Sequence, residues 1–447
     1  MLNKVLIANR GEIAVRIIRA CRELGIKTVA VFSEADKNAL HTKLADEAVC
    51  IGPASSTKSY LNIKNILEAA CLTKADSIHP GFGFLSENAD FAKMCEESNI
   101  KFIGPSYKLI ELMGNKSNAK DLMKNAKVPV VPGSDGSVKG YKDACEVADR
   151  IGFPIMIKSA TGGGGRGIRL VTKKEDLEDC YNIVKQEAKS AFGDDEIYIE
   201  KYIENPRHVE VQVLADEYGN AVHLGERDCS VQRRNQKILE ESPSTVVDEK
   251  LRKKMGEAAL NAVKASKYSS IGTIEFLVDR HKNFYFMEMN TRIQVEHPVT
   301  EMITGIDIVK EQLRIASGEK LRFSQANIKT TGHSIECRIN AECPEKGFMP
   351  SPGQIKDLNL PGGNGVRIDT AVYSGYTIPA IYDSMIAKII VHGEDRAEAI
   401  EKMKRALEEC VIDGVNTNID FLYKILENES FKKGDFDTSF INKEKLV

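Results

Sequence analysis

The sequence has no tryptophan in its 447 residues and no C-x-x-C pair among its ten cysteines. Thiols scattered in this way suit the reducing cytosol better than a disulfide framework. Its eight histidines form neither H-E-x-x-H nor a Cys/His cluster, which argues against a zinc site. No apolar run approaches the ~20 residues a membrane helix needs. The strand-like Val5-Leu6-Ile7-Ala8 follows Met1 too closely for a signal peptide, so a cytoplasmic protein without membrane association is expected. Charge of one sign is also lacking. Lys+Arg is 62 and Asp+Glu is 65, a net −3, so no general polyanion surface and no nucleic-acid partner are expected. Two phosphate-binding signatures are missing. After the first strand, Asn9-Arg10-Gly11-Glu12-Ile13-Ala14 offers one glycine where a dinucleotide site needs G-x-G-x-x-G, and G-x-x-x-x-G-K-[ST] does not occur. There is no internal repeat and no low-complexity tract. What remains, 42% hydrophobic and 28% charged residues, is an ordinary globular composition with length for about three domains.

The first third alternates strand and helix: Val5–Ala8, an amphipathic stretch from Ile13 to Leu24 ending at Gly25, then Thr28–Phe32, with further strands at Ser77–His79 and Lys101–Ile103. That is the pattern of a doubly wound, mostly parallel sheet. Composition shifts near Gly114. A Lys/Asn-rich helix, Asn115–Asn125, leads to the hinge-like Val128–Gly133. Pro154–Lys158 and Ile168–Val171 read as strands around Gly162–Gly167, and Lys173–Phe192 as a helix. Alternating strands fill Ile197 to Glu288, broken by a helix over Glu249–Ser266. A helix runs to Ala316 after Met302, and residues 331–447 mix short strands, Pro/Gly-rich loops and helices at Arg396–Glu409 and Ile419–Leu426.

Three local features carry chemistry. Gly162–Gly167 joins strand to strand, and glycines let backbone N–H groups approach an anion closely, so it reads as a mobile hairpin able to close over phosphates. Its rival is a plain flexible tip. Gly272–Asp279 and Phe284–Glu288 read as hairpin arms turning near His281-Lys282. In a symmetric register Glu275 faces Glu288, with Asn290 on the same face and Ile274, Phe276, Val278, Tyr285 and Met287 on the core side. Two carboxylates and an amide oxygen form a hard-oxygen set suited to Mg2+; the rival is a wet sheet face. Next, Glu288, Asn290, Arg292, Gln294 and Glu296 recur at period 2, and if extended all five point one way. No core tolerates that set without ligands. Arg292 suits an oxyanion and Glu296 a base. His208, Glu210 and Gln212 opposite valines, and Glu336 and Arg338 opposite Ile335, Cys337 and Ile339, fit half-exposed strands.

The order of these features, ending in E-M-N-x-R-x-Q-V-E-H, resembles the ATP-grasp enzymes and, within them, the biotin carboxylases. Asn9–Ala14, His79–Asn88, Gly162–Gly167, Arg227–Arg234, Met287–Pro298 and Ile335–Ile339 all look like signatures of that family and span nearly the whole chain. Met287–Pro298 is the most specific. The resemblance implies an α/β fold in three parts: an N-terminal doubly wound domain (1–114), an ATP-grasp region (115–330) with a glycine-rich lid (131–203), and a C-terminal α+β domain (331–447). It implies that ATP and bicarbonate give carboxyphosphate, which carboxylates biotin. By position, Lys116, Lys158 and the lid residues Gly163, Gly164 and Gly165 would contact ATP phosphates. Glu200, Lys201 and Ile203 would hold adenine, and His208, Gln232 and Asn235 would line the nucleotide site. Glu275, Glu288 and Asn290 would carry Mg2+ or Mn2+. Lys237, Arg292, Gln294 and Val295 would hold bicarbonate, Glu296 would be the base, and Arg338 and Phe82 would meet biotin. Two departures stand out: some members have His at the place of Asn235, others Tyr at that of Phe82. No A-M-K-M segment occurs, so biotin would arrive on a separate biotin carboxyl carrier protein, with carboxyltransferase subunits as further partners and a homodimer as the usual state. The rivals are another ATP-grasp carboxylate–amine ligase, which would lack Arg338, and an inactive nucleotide-binding scaffold, which would have lost Glu288, Arg292 or Glu296.

Overall fold

Short Val/Ile-rich runs with little polar interruption make strands that are buried on both faces. The computed structural model describes residues 2–159, 168–192 and 196–446. The run Gly162–Gly167, and with it Gly163, Gly164 and Gly165, lies outside the described residues. Strands β1 (Lys4–Ile7), β2 (Lys27–Ser33), β3 (Glu47–Gly52), β4 (Ser77–His79) and β5 (Lys101–Phe102) form a parallel sheet in the order β3-β2-β1-β4-β5. The chain reverses its winding between β1 and β4, and a crevice opens there beyond the strand ends. Asn9–Gly11, after β1, and Phe82–Phe84, after β4, line a large cavity at that point.

Strands β6 (Ile155–Ser159), β7 (Ile168–Val171) and β8 (Ile197–Lys201) make a small antiparallel sheet in the order β7-β6-β8. β6 and β7 pair antiparallel with Lys158 opposite Ile168. With the helices Tyr141–Ile151 and Leu177–Phe192 this sheet has its own core around Val147, Ile155, Ile157, Leu177 and Ile199.

The third sheet has eight antiparallel strands. It runs β13 (Phe284–Asn290), β12 (Ser270–Val278), β9 (Arg207–Ala215), β10 (Ala221–Arg233), β11 (Gln236–Ser242), β14 (His333–Asn340), then Met385–Gly393 and Val366–Thr370. β11 and β14 are direct neighbours, with Leu239 opposite Cys337 and Glu240 opposite Glu336. One sheet therefore runs across the boundary drawn at 330/331. The half-exposed reading of β9 and β14 is corrected: all of β9 is buried, and Glu336 is as inaccessible as Ile335 and Cys337. Valines 209, 211 and 213 face the helix Glu249–Ser266, and His208, Glu210 and Gln212 face the cavity side.

The β12–β13 hairpin follows the symmetric register at Ile274–Met289 and Glu275–Glu288, then breaks it. A bulge after Glu275 pairs Phe276 with Phe286. The core side of β13 is therefore Phe284, Phe286 and Met289, while Met287 turns out, 38% exposed. The period-2 ribbon through Glu296 is also corrected. β13 ends at Asn290, Thr291–Glu296 bend, and a helix starts at His297 (His297–Thr304), followed by Ile308–Ala316. Among the described residues no helix is long and apolar enough to cross a membrane.

Candidate active site

The polar faces of β9 to β14, the turn after Asn290 and the crevice of the parallel sheet enclose a cavity of about 930 Å³. At its floor Lys237 reaches across from β11. Its Nζ lies 2.7 Å from Glu210, 2.9 Å from Glu275 and 2.6 Å from Glu296. Glu296 is fully buried, and its second oxygen accepts from Arg338 Nη2 at 2.9 Å. Burial alone would raise the Glu296 carboxyl. Lys237, Arg338 and Arg227 overcome that and hold it well below the carboxylate range. Arg338 is shared: its Nε donates to Glu240 at 2.7 Å. Burial, against the pull of Arg338 and with the repulsion of Glu296, pushes Glu240 up to about 7.

The facing carboxylates differ sharply. Glu275 Oε1 accepts from Lys237, from Asn290 Nδ2 at 2.9 Å and from Gln294 Nε2 at 3.1 Å, and its other oxygen lies 2.8 Å from His208 Nε2. Burial resists its ionisation, but Lys237 and His208 keep it low. Glu288 has no hydrogen bond or ion pair among the described residues, and burial and the Glu275 charge raise it. A half-buried carboxylate opposite another, with its own oxygens unengaged, fits a hard cation. Asn290 uses its amide within the cluster, since Oδ1 accepts from Arg292 Nη2 at 3.0 Å. Two other groupings, His208–Glu210–Glu275 and Glu210–Cys229–Glu296, have ligand atoms close enough for a metal, but the Lys237 ammonium already occupies their shared space.

Arg292 is aimed by Glu87, whose Oε2 accepts from Nε at 2.8 Å, and by Gln294 Oε1 at 3.1 Å. Asn235 owes its identity to local geometry. It and Arg234 form the two-residue turn between β10 and β11, both at positive φ (64° and 50°), where asparagine is favoured. Gln232 Nε2 lies 2.8 Å from His208 Nδ1. Thus the cavity brings together Phe82, His208, Gln232, Asn235, Lys237, Glu275, Glu288, Asn290, Arg292, Gln294, Val295, Glu296 and Arg338.

It does not include Lys116, Lys158, Glu200, Lys201 or Ile203. Lys116 is exposed at the start of the helix Lys116–Asn125. Lys158 and Lys120 both donate to Glu200, at 2.6 and 2.9 Å. Lys201 Nζ is committed to the carbonyls of Gly152 and Phe153. Sequence reasoning assigned no role to Glu87, Glu210, Glu240 or Lys388. For Lys388 a signal exists: it is a charge inside a strand that is otherwise apolar, Ile386-Ala387-Lys388-Ile389-Ile390.

Family profiles match in three blocks: Biotin carboxylase, N-terminal domain, over residues 1–110; Carbamoyl-phosphate synthase L chain, ATP binding domain, over 115–324; and Biotin carboxylase C-terminal domain over 336–443. Biotin carboxylase 1 of Bacillus subtilis is 59% identical over 442 residues, which are 99% of this chain and 98% of that one. The chain belongs to the biotin carboxylase family. Biotin carboxylases are ATP-dependent ligases, and the similarity extends to a pyruvate carboxylase component of Methanothermobacter thermautotrophicus, 54% identical over 99% of this chain and 90% of that one. Among solved biotin carboxylases, the β,γ-ATP complex from Campylobacter jejuni is similar with a TM-score of 0.93 at 52% identity, covering 99% of each chain. The biotin carboxylase domain dimer of Hydrogenobacter thermophilus 2-oxoglutarate carboxylase, with MgADP, ADP and bicarbonate, gives 0.92 at 52%, covering 100% of this chain and 98% of that one.

Proposed function

We propose that the chain uses ATP and bicarbonate to carboxylate biotin on a separate biotin carboxyl carrier protein, through carboxyphosphate. The observation that carries this reading is Glu296, an ionised carboxylate clamped between Lys237 and Arg338 at the floor of the cavity. So clamped, it is a poor base. Bicarbonate bound by Lys237, Arg292, Gln294 and Val295 draws Lys237 away from it, and its basicity rises only when substrate is in place. Glu296 then takes the bicarbonate proton. The bicarbonate oxygen attacks the γ-phosphorus, the bond to ADP breaks, and carboxyphosphate forms. Carboxyphosphate then splits into CO2 and phosphate, the phosphate takes the ureido N–H proton of biotin, and the freed nitrogen bonds the CO2 carbon. Arg338 stabilises charge on the ureido oxygen, with Phe82 also meeting biotin.

Glu288 and Glu275 would hold Mg2+ or Mn2+, which when bound neutralises charge on the ATP phosphates; Asn290 keeps Glu275 in register. Lys116, Lys158, Gly163, Gly164 and Gly165 serve the phosphates. Glu200, Lys201 and Ile203 serve the adenine end, Lys201 through its backbone, and His208, Gln232 and Asn235 line the nucleotide path. The carboxyl passes on to a carboxyltransferase, and the high identity to free-standing biotin carboxylases favours acetyl-CoA carboxylation in fatty acid synthesis. The Methanothermobacter pyruvate carboxylase component represents the competing acceptor. We assign a homodimer, as in the Hydrogenobacter domain, and a cytoplasmic setting, where all ten thiols stay free.

The test is ADP release with and without bicarbonate and free biotin. Release that needs bicarbonate and rises with biotin is expected. Release that needs an amine instead would make the chain a carboxylate–amine ligase.

A further inference from the structure

The segment that bears the base has no regular structure to hold it, since β13 stops at Asn290 and the next helix starts at His297. Most contacts to its carbonyls are local, such as that of Arg292 Nη1, which donates to Ile293 O at 3.2 Å. His297 Nδ1 meets Gln294 O at 2.8 Å, from within the same segment. Val295 O accepts from Lys388 Nζ at 2.6 Å, and Lys388 comes from the C-terminal sheet, 93 residues away. Lys388 is fully buried. A desolvated ammonium is costly unless anions surround it. Glu12 Oε1, at the start of the helix Gly11–Glu23, lies 3.2 Å away, and Asp369 Oδ2, on the neighbouring strand, 3.9 Å.

Register places Lys388 opposite Arg338 on one side and Asp369 on the other, so the three form one row across adjacent strands. Asp369 is itself held by Arg367, whose other nitrogen reaches Glu301 on the helix after the loop; Glu301 in turn accepts from Arg16. All three parts of the chain thus converge on one ammonium, and its shortest contact is to a neutral carbonyl between two site residues. A lysine kept only for folding would be expected to spend that contact on a carboxylate.

We propose that Lys388 is a positioning residue for the reaction: seated by Glu12 and Asp369, it fixes the Val295 carbonyl and through it the orientation of the Gln294 amide and the Glu296 carboxylate. The inference rests on the reading of Glu296 as the base. A small displacement of a reacting group costs up to about 10²-fold in rate.

The experiment uses the full chain and compares Lys388→Met with the double variant Lys388→Met/Glu12→Gln, in which the partner carboxylate is neutralised as well. Bicarbonate-dependent ATP cleavage should fall by about 10²-fold in kcat in both, with little change in KM for ATP and with ATP binding stoichiometry intact. A merely structural role would lower the folded fraction and leave the kcat of that fraction unchanged. Wild-type kcat in either folded variant overturns the proposal. Failure of both to fold assigns Lys388 to the fold and overturns it as well. Absence of bicarbonate-dependent cleavage in the wild-type chain refutes the functional reading instead, and the two failures are distinct.

Discussion

Glu275 and Glu288 stand opposite each other, yet among the described residues one accepts from a ring of donors and the other from none. The free member is the one whose loss should show as a cation effect. Glu288→Gln is expected to raise the Mg2+ concentration needed for half-maximal turnover and to slow turnover; an unchanged Mg2+ titration would sink the pairing. Arg338 carries two loads, the biotin side and the carboxylates of Glu240 and Glu296. Arg338→Ala should lower biotin carboxylation by about 10²–10³, the usual size of a lost oxyanion contact, while bicarbonate-dependent ATP cleavage falls much less. Equal losses in both assays would contradict that division. Glu240 titrates near 7 when folded against an ordinary 4.5. The folded state therefore binds more protons than the unfolded one between those values, and this group's contribution to stability declines as pH rises from about 4.5 through 7. Melting temperature measured against pH should have a flatter slope in that window for Glu240→Gln. Facing pairs such as Glu275 and Glu288 were legible in the sequence because hairpin symmetry is local arithmetic. Glu87 and Glu240 were not, since each acts on a residue 205 or 98 positions away, and Lys388 showed only as a charge in an apolar strand, its target lying 93 positions away.

At the level of single elements, strand and helix periodicity located most of the fold, including the helices Glu249–Ser266 and Arg396–Glu409. It failed where the backbone leaves its period. The bulge after Glu275 and the turn after Asn290 each move side chains to the other face, and neither carries a glycine or proline to announce it. Convergence of Glu288, Asn290, Arg292, Gln294 and Glu296 was anticipated for an extended strand, whereas a turn and helix start achieve it. The loop after β4 shows the opposite case, a glycine with a definite task. Gly81 has φ +64°, and a Cβ there would come within 2.8 Å of Asn9 Nδ2, which donates to both Pro80 O and Phe82 O at 2.7 Å. Gly81→Ala should cost about 1–2 kcal/mol from the left-handed backbone. It should displace Phe82 and raise KM for free biotin while leaving KM for ATP unaltered. Parallel increases in both would place Phe82 away from biotin.

For the whole molecule, the sheet that spans the ATP-grasp and C-terminal parts makes them one folding unit. A chain ending at residue 330 would bare the β11 edge from Leu239 to Ser242 and the apolar side chains Val231, Ile238 and Leu239 that the C-terminal cluster covers. It is expected to be insoluble, and the amides of β11 and β14 in the full chain should exchange at matching rates; a soluble, cooperatively melting 1–330 fragment would refute the shared unit. Met403-Lys404 is a poor match to A-M-K-M and lies within a charged helix. Met403 is fully buried within the helix Arg396–Glu409, and Lys404 is tied to Glu427 at 2.7 Å. Intact mass of protein from biotin-fed cells should therefore show no biotin-sized increment.

The β11–β14 seam also bears on how such a chain can be recombined. A designer who grafts the C-terminal part of a relative onto this protein imports a new Arg338 and a new Lys388, but retains the native Glu240, Glu12 and Val295 they must meet. Crossovers placed in the connection before His333 look safe by linear spacing and are unsafe by contact. Those that carry β11 along with the C-terminal strands keep Glu240 with Arg338, and only Glu12 and the Val295 turn need to be matched by hand.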